Sequence, residues 1–258
     1  MGILKTITKE YFGETIRKED DIDIKGLDVK IVSFTDNNKI FHKKGYKPKD
    51  TGSLRELLER MIEVRGNEGN FNDIDTSDIK DMCYLFHKKE KFNGNISGWN
   101  VSKVTNMEYM FECATSFNKP IGNWDVSGVK RMNSMFYYAE SFNQPIGKWD
   151  VSKVTIMESM FHGAKSFNQP IGNWDVSNVE NMYSMFAGAK SFNQPIGDWD
   201  VSKVENMGFM FLNAESFNQP IGNWNVSNVT SMMGMFKICP IKDEYRPKNS
   251  KNNTFGFF

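Results

Sequence analysis

Four aspartates recur at a fixed interval. Asp125, Asp150, Asp175 and Asp200 stand 25 residues apart, with Asn100 and Asn225 one step further out on either side. Stacked like charges destabilise one another unless something compensates. Calcium would do so, since it takes several carboxylate and carbonyl oxygens. Solvation would serve too, helped by Lys153 and Lys203 or by hydrogen bonds from turn amides. The adjoining turns lack the dense Asp/Gly run of a calcium loop, so the second arrangement is expected and no metal site is assigned.

Other chemistry finds less support. His42, His87 and His162 lie far apart, and none falls in HExxH or a comparable ligand pattern. A serine recurs in every 25-residue interval, and repetition of that kind suits helix capping better than a nucleophile. No GxGxxG or GxxxxGK[ST] motif is present to cradle phosphate. Cys83, Cys113 and Cys239 show neither CxxC spacing nor an even count, which argues against a zinc cluster or a disulfide framework. Cys239 takes the place that Ala114, Ala139, Ala164, Ala189 and Ala214 hold in sister units, where a thiol packs as a small apolar group. The expectation is a protein with no catalytic residues and no cofactor.

The elements that carry these residues follow from the period. All six tryptophans, from Trp99 to Trp224, fall 25 residues apart, and Ile74 opens a degenerate seventh copy. Such a period marks a solenoid, whose units are too small to bury an apolar face alone and stack on their neighbours. Within one unit, Trp174 and Val176 alternate with polar residues, as in a short half-buried strand. Met182, Met185, Phe186 and Ala189 follow at i, i+3, i+4 and i+7, the spacing of one helical face. Ser177 and Glu180 read as its capping box, and the proline and glycine of SFNQPIG turn the chain back. The expected fold class is therefore α/β: a repeat solenoid with one short strand and one short helix per coil. Columns of Trp, Met and Phe form its core, which accounts for 16 Met and 21 Phe. The asparagines at 25-residue steps from Asn93 to Asn218 are assigned to turn hydrogen bonds between neighbouring coils.

The unit FNQPIGNWDVSNVENMYSMFAGAKS resembles the 25-residue repeat of BspA-like bacterial surface proteins, a branch of the leucine-rich-repeat group. The resemblance extends from about Leu54 to Phe236. It implies a repeat scaffold, often on a cell surface, with protein partners and no catalytic residues.

Four segments are expected. Residues 1–52 form an amino-terminal region with a possible β-hairpin turning at Asp36-Asn37-Asn38, able to cover the open edge of the first coil. Residues 53–73 hold a capping helix with a Ser53/Glu56 box and a face of Leu54, Leu57, Leu58, Met61 and Ile62. Residues 74–240 are the seven-unit solenoid. Residues 241–258 are a carboxy-terminal tail, mobile from Lys242 to Asn253, with Phe255, Phe257 and Phe258 able to fold over the last coil.

Two surfaces are candidates for binding. Tyr109, Tyr137, Tyr138, His162, Tyr183, Phe209 and Leu212 occupy outward helix positions where sister units carry small or polar residues. Aromatics there suit a protein interface, because they bury much area with few rotors to freeze. The alternative is packing against adjacent coils. The second surface joins the Asp column to Asn123, Lys148, Asn173, Asp198 and Asn223. With 32 basic and 32 acidic residues the chain has no formal net charge, which argues against nucleic acid or a membrane surface as partner. A protein partner of unknown identity is expected. There is no apolar run long enough to span a membrane, and the first residues carry no export signal. Resemblance thus favours the cell surface, while the chain itself leaves the cytoplasm as the alternative.

Overall fold

The computed structural model describes residues 22–35 and 42–248. The Asp36-Asn37-Asn38 turn, His42's side chain and Phe255, Phe257 and Phe258 lie outside what it describes. Three regular elements precede the repeats: β1 (Val29–Thr35), β2 (His42–Pro48) and α1 (Thr51–Arg65). β1 and β2 pair antiparallel, with Val29 opposite Pro48 and Thr35 opposite His42. β2 also joins the repeats. Tyr46 N–H donates to the Asp73 carbonyl at 2.8 Å, and Asp75 N–H donates back to Tyr46 at 2.8 Å. Lys47 clamps the same junction, 3.1 Å from Asp75 and 2.8 Å from Asp78. Lys103 reaches Asp78 from the next coil, and the two lysines hold its carboxyl down at about 2.

α1 begins one turn earlier than its sequence suggests. Asp50, not Ser53, is the cap: its carboxylate accepts the Ser53 N–H at 2.9 Å, and Ser53 Oγ accepts the Asp50 N–H at 3.0 Å. The Ser53/Glu56 box is thereby replaced. Leu54, Leu57, Leu58 and Met61 are buried against the first coil, and Gly66 ends the helix with φ of 74°.

The repeats correct the expectation of a strand and a helix in each coil. Among the described residues, none between Gly66 and Lys242 is helical, and strand-type pairing between coils is limited to isolated parallel bridges. Met182 to Ala189 form consecutive turns instead. Met185, Ala187 and Ala189 each donate to the carbonyl three residues back, at 3.0 to 3.2 Å. The N–H groups between them leave the coil altogether: Met182, Ser184, Phe186 and Gly188 donate to Asn206, Gly208, Met210 and Leu212 of the next coil, at 2.7 to 3.0 Å. Ser184 and Gly188 carry φ of 53° and 67°, so positive φ recurs every fourth residue, as type II turns require and an α-helix forbids. The same apolar spacing is satisfied either way, and Met182, Met185, Phe186 and Ala189 are all fully buried.

Coil spacing explains the choice. Phe86, Phe111, Phe136, Phe161, Phe186, Phe211 and Phe236 stack with ring centroids 5.2 to 5.9 Å apart. Packed helices need about 8–10 Å between axes, so helices cannot sit one above another at this rise. Flat turns can. A second column, Phe92 to Phe217, runs beside the first, and each indole Nε1 donates to a carbonyl of the preceding coil, as Trp149 does to Ile121 at 3.2 Å.

Close approach also fixes a glycine column. A Cβ on Gly147 would lie 2.3 Å from the Pro170 carbonyl oxygen of the next coil, and Gly122, Gly172 and Gly197 are equally crowded. At the carboxy-terminal end, residues 241–248 replace the next coil, which corrects the reading of a mobile tail from Lys242. Tyr245 accepts the Ile221 N–H at 3.0 Å, Ile241 and Pro247 are buried, and the Arg246 guanidinium lies 5.4 Å above the Phe236 ring.

Candidate functional site

The turn face of each coil carries four positions flanking the buried Met-Phe pair, two before it and two after. Side chains there vary between coils, and the seven candidate residues all lie on it, on turns rather than on helices. The structure gathers them into small ring clusters. Tyr109, half-buried with φ of 56°, stacks on Tyr84 of the preceding coil at 4.6 Å and 9°. Tyr137 stacks on His162 at 4.7 Å, and Tyr138 packs against both rings, 4.8 Å from Tyr137 and 5.3 Å from His162. Tyr183 meets Phe209 edge to face at 5.7 Å. Leu212 is half-buried nearby in the next turn.

These rings therefore pack largely against neighbouring coils. Of the seven, Tyr138 alone is exposed, at 38%. Burial lowers the His162 pKa and raises that of Tyr137. Tyr138 lies so close over Gly163 that a Cβ there would sit 2.7 Å from its ring, and Phe209 covers Gly234 in the same manner. An aromatic followed 25 residues later by glycine is thus one packing unit.

Sequence reasoning missed the most exposed large apolar side chains of this face. Tyr84 is 44% exposed, Met233 59% and Ile238 67%. The same step of 25 that links Tyr109 to its sisters leads back to Tyr84, so the period alone could have found it. His87 lies beside Tyr84, with Nδ1 2.7 Å from Glu112 Oε2. Burial and the neighbouring Asp81 push the Cys83 thiol up to about 11, so it is no ready nucleophile.

The Asp column lies on another face and is built from side-chain turns. Asp125, Asp150, Asp175 and Asp200 are exposed, and each Oδ1 accepts the backbone N–H of the serine two residues on, at 3.0 to 3.1 Å. The hydroxyls of Ser127 and Ser152 donate to the same oxygens at 2.7 and 2.6 Å. Hydrogen bonds from serine lower the pKa of Asp125, Asp150 and Asp200. The serines consequently serve the aspartates and do not cap helices, which corrects the Ser177/Glu180 box. Asn100 and Asn225 make the same turn, so the position needs an acceptor more than a charge. Among the described residues no group of three or more His, Cys, Asp or Glu is arranged to hold a metal ion. Asn123, Lys148, Asn173, Asp198 and Asn223 line an exposed polar strip beside this column.

Asparagines form a third ladder. Asn118 Oδ1 accepts the Asn143 N–H at 3.0 Å and the Gln144 side-chain amide at 2.9 Å, and the pattern repeats to Asn218, which takes the Lys242 N–H.

Stacked columns of this regularity, repeated at one fixed period, define the molecule as a tandem-repeat protein. The chain belongs to the family described as "Mycoplasma protein of unknown function, DUF285", whose profile matches twice in tandem, over residues 53–158 and 144–245. No curated protein and no solved structure matches it. Among the described residues no helix is long and apolar enough to cross a membrane.

Proposed function

We propose that this chain is a leucine-rich-repeat-like solenoid of the BspA-like type, working as a non-enzymatic protein-interaction or adhesion scaffold. One observation carries the reading: a frame that repeats without a break holds outward positions that do not repeat. Core columns of Met, Phe and Trp barely change from coil to coil. One column of the turn face runs Cys83, Glu108, Asn133, Glu158, Tyr183, Gly208, Met233. Partner choice would reside in such columns, with Tyr84 and Tyr138 as exposed anchors. The Asp column does not call for calcium, because serine donors already supply its compensation.

Location and capture test this reading together. Protease applied to intact source cells should remove the protein if it works as a surface adhesin. Protection until lysis would move the same scaffold inside the cell. A partner captured by the wild-type protein should be lost from Tyr84→Ser and Tyr138→Ser variants of unchanged melting temperature. Undiminished capture by both variants would overturn the assignment of this face.

A further inference from the structure

Among the described residues β1 is the outer strand of the amino-terminal cap. Lys49 N–H donates to the Asp28 carbonyl at 3.1 Å, one step before the Val29/Pro48 pair. Bonded pairs alternate along an antiparallel ladder. Lys30 and Val32 therefore turn their backbone groups toward β2, while Val29 and Ile31 turn theirs away from it. The same alternation places Tyr46, opposite Ile31, on its bonds to Asp73 and Asp75 at the far side of β2. The outward N–H and C=O groups of Val29 and Ile31 have no partner among the described residues. An open edge of this kind is a template for a further strand.

The side chains along this edge alternate as well. Leu27, Val29 and Ile31 are apolar, and Asp28 and Lys30 stand between them. Leu27 and Val29 pack partly against the core, whereas Ile31 is 49% exposed. Lys30 is exposed and makes no ion pair among the described residues. Opposite it stands Lys47, whose own carboxylates, Asp75 and Asp78, belong to the first coil. Like charges opposite one another across strands are destabilising. The Asp28 carboxylate is exposed beside Lys49, at 2.6 Å. The free edge thus carries a cation without a counter-ion and, two residues away, a carboxylate with room for a second cation.

We infer that β1 pairs with β1 of a second copy of this chain, about a two-fold axis through Val29. Two copies of one strand joined along the same edge by a two-fold axis run antiparallel, and residues with outward backbone groups must face one another. Centring on Val29 lets the two Val29 residues exchange both hydrogen bonds and sets Ile31 against Leu27 of the second copy. It also sets Asp28 against Lys30 of the second copy and Lys30 against its Asp28. Centring on Lys30 would place that lysine opposite itself. Centring on Ile31 would place Lys30 opposite Val32, with no counter-ion. Charge therefore selects the first register. Backbone bonds alone would accept any strand; the matched charges are what single out a second copy. The product is a four-stranded sheet in the order β2-β1-β1-β2 that joins two solenoids through their caps.

Sedimentation equilibrium of the full chain tests this, with charge reversals of unchanged melting temperature. The wild-type protein should be a dimer that dissociates on dilution. Asp28→Lys and Lys30→Asp each set like charges together in both pairs, so either variant alone should associate about 10-fold or more weakly. Mixed in equal amounts, the two variants should form a heterodimer, because each supplies the charge that the other lacks. The Ile31 amide should exchange slowly in the dimer and about 10-fold or more faster in either variant alone. A wild-type chain that stays monomeric would overturn the inference. So would a dimer undiminished in both variants, a mixture that stays monomeric, or protection of the Ile31 amide in a monomer, which would give the edge to another strand.

Discussion

The Asp150 carboxylate accepts both the backbone N–H and the hydroxyl of Ser152, at 3.0 and 2.6 Å through the same oxygen. The backbone half of that relationship recurs at Asp125, Asp175 and Asp200, and it turns a column of like charges into a column of side-chain turns.

Asp150→Asn should consequently be nearly neutral, since Asn100 and Asn225 already fill the position in sister coils. Asp150→Ala should cost on the order of 1 kcal/mol, the usual worth of such a hydrogen bond. Urea denaturation of the two variants checks both expectations.

Acid should weaken the fold in a defined window. Serine hydrogen bonds depress the native pKa of Asp125, Asp150 and Asp200, so their contribution is full above the unfolded value near 3.9 and is lost as pH falls through the lower native values. Melting temperature should be flat from pH 7 to about 5 and fall below about 4. An Asp125→Asn, Asp150→Asn, Asp200→Asn variant should show a shallower fall. An equal acid response in that variant would remove these carboxylates from the account.

Positive φ gives a test that separates turns from helices. Lys88 is exposed with φ of 56°, in the column that Gly163 and Gly188 fill elsewhere. Lys88→Gly should be neutral or stabilising by up to about 1 kcal/mol. In a helix interior the same change would cost roughly that amount. Denaturant titration gives the sign.

The glycine column has no such latitude. Gly147→Ala should destabilise by about 1–3 kcal/mol, because the added carbon meets a backbone oxygen that belongs to another coil. Gly222→Ala should cost under about 0.5 kcal/mol, since its nearest neighbour, the Arg246 carbonyl, would lie 3.5 Å away. Comparable losses at both sites would refute the close-approach argument.

Asn143 joins two coils by accepting both the Asn168 N–H, at 3.0 Å, and the Gln169 amide, at 2.9 Å. Asn143→Ala leaves both donors short and should cost about 1–3 kcal/mol. Exchange at the Asn168 amide should rise in the same variant.

How much of this was legible beforehand differs by element. The spacing of Trp99 to Trp224 yields the period, the register and the membership of each column without coordinates. It also marks the buried set, and Met182, Met185, Phe186 and Ala189 are buried as their spacing requires. The candidate aromatics share the turn face, yet their spacing does not reveal that Tyr137 and His162 pack ring on ring between coils. Tyr84 was overlooked because its coil lacks the tryptophan that marks the others.

What the sequence determined by itself, then, is which residues lie inside and which stand above one another, because both follow from a strict repeat of 25. The path of the backbone between them was decided by tertiary structure. Spacings of three, four and seven fit a helix and a run of turns alike. The deciding bonds run to partners about 24 residues away, from Ser184 N–H to the Gly208 carbonyl and its counterparts. At a rise of 5 to 6 Å per coil there is room for flat turns that share those bonds, and none for stacked helices.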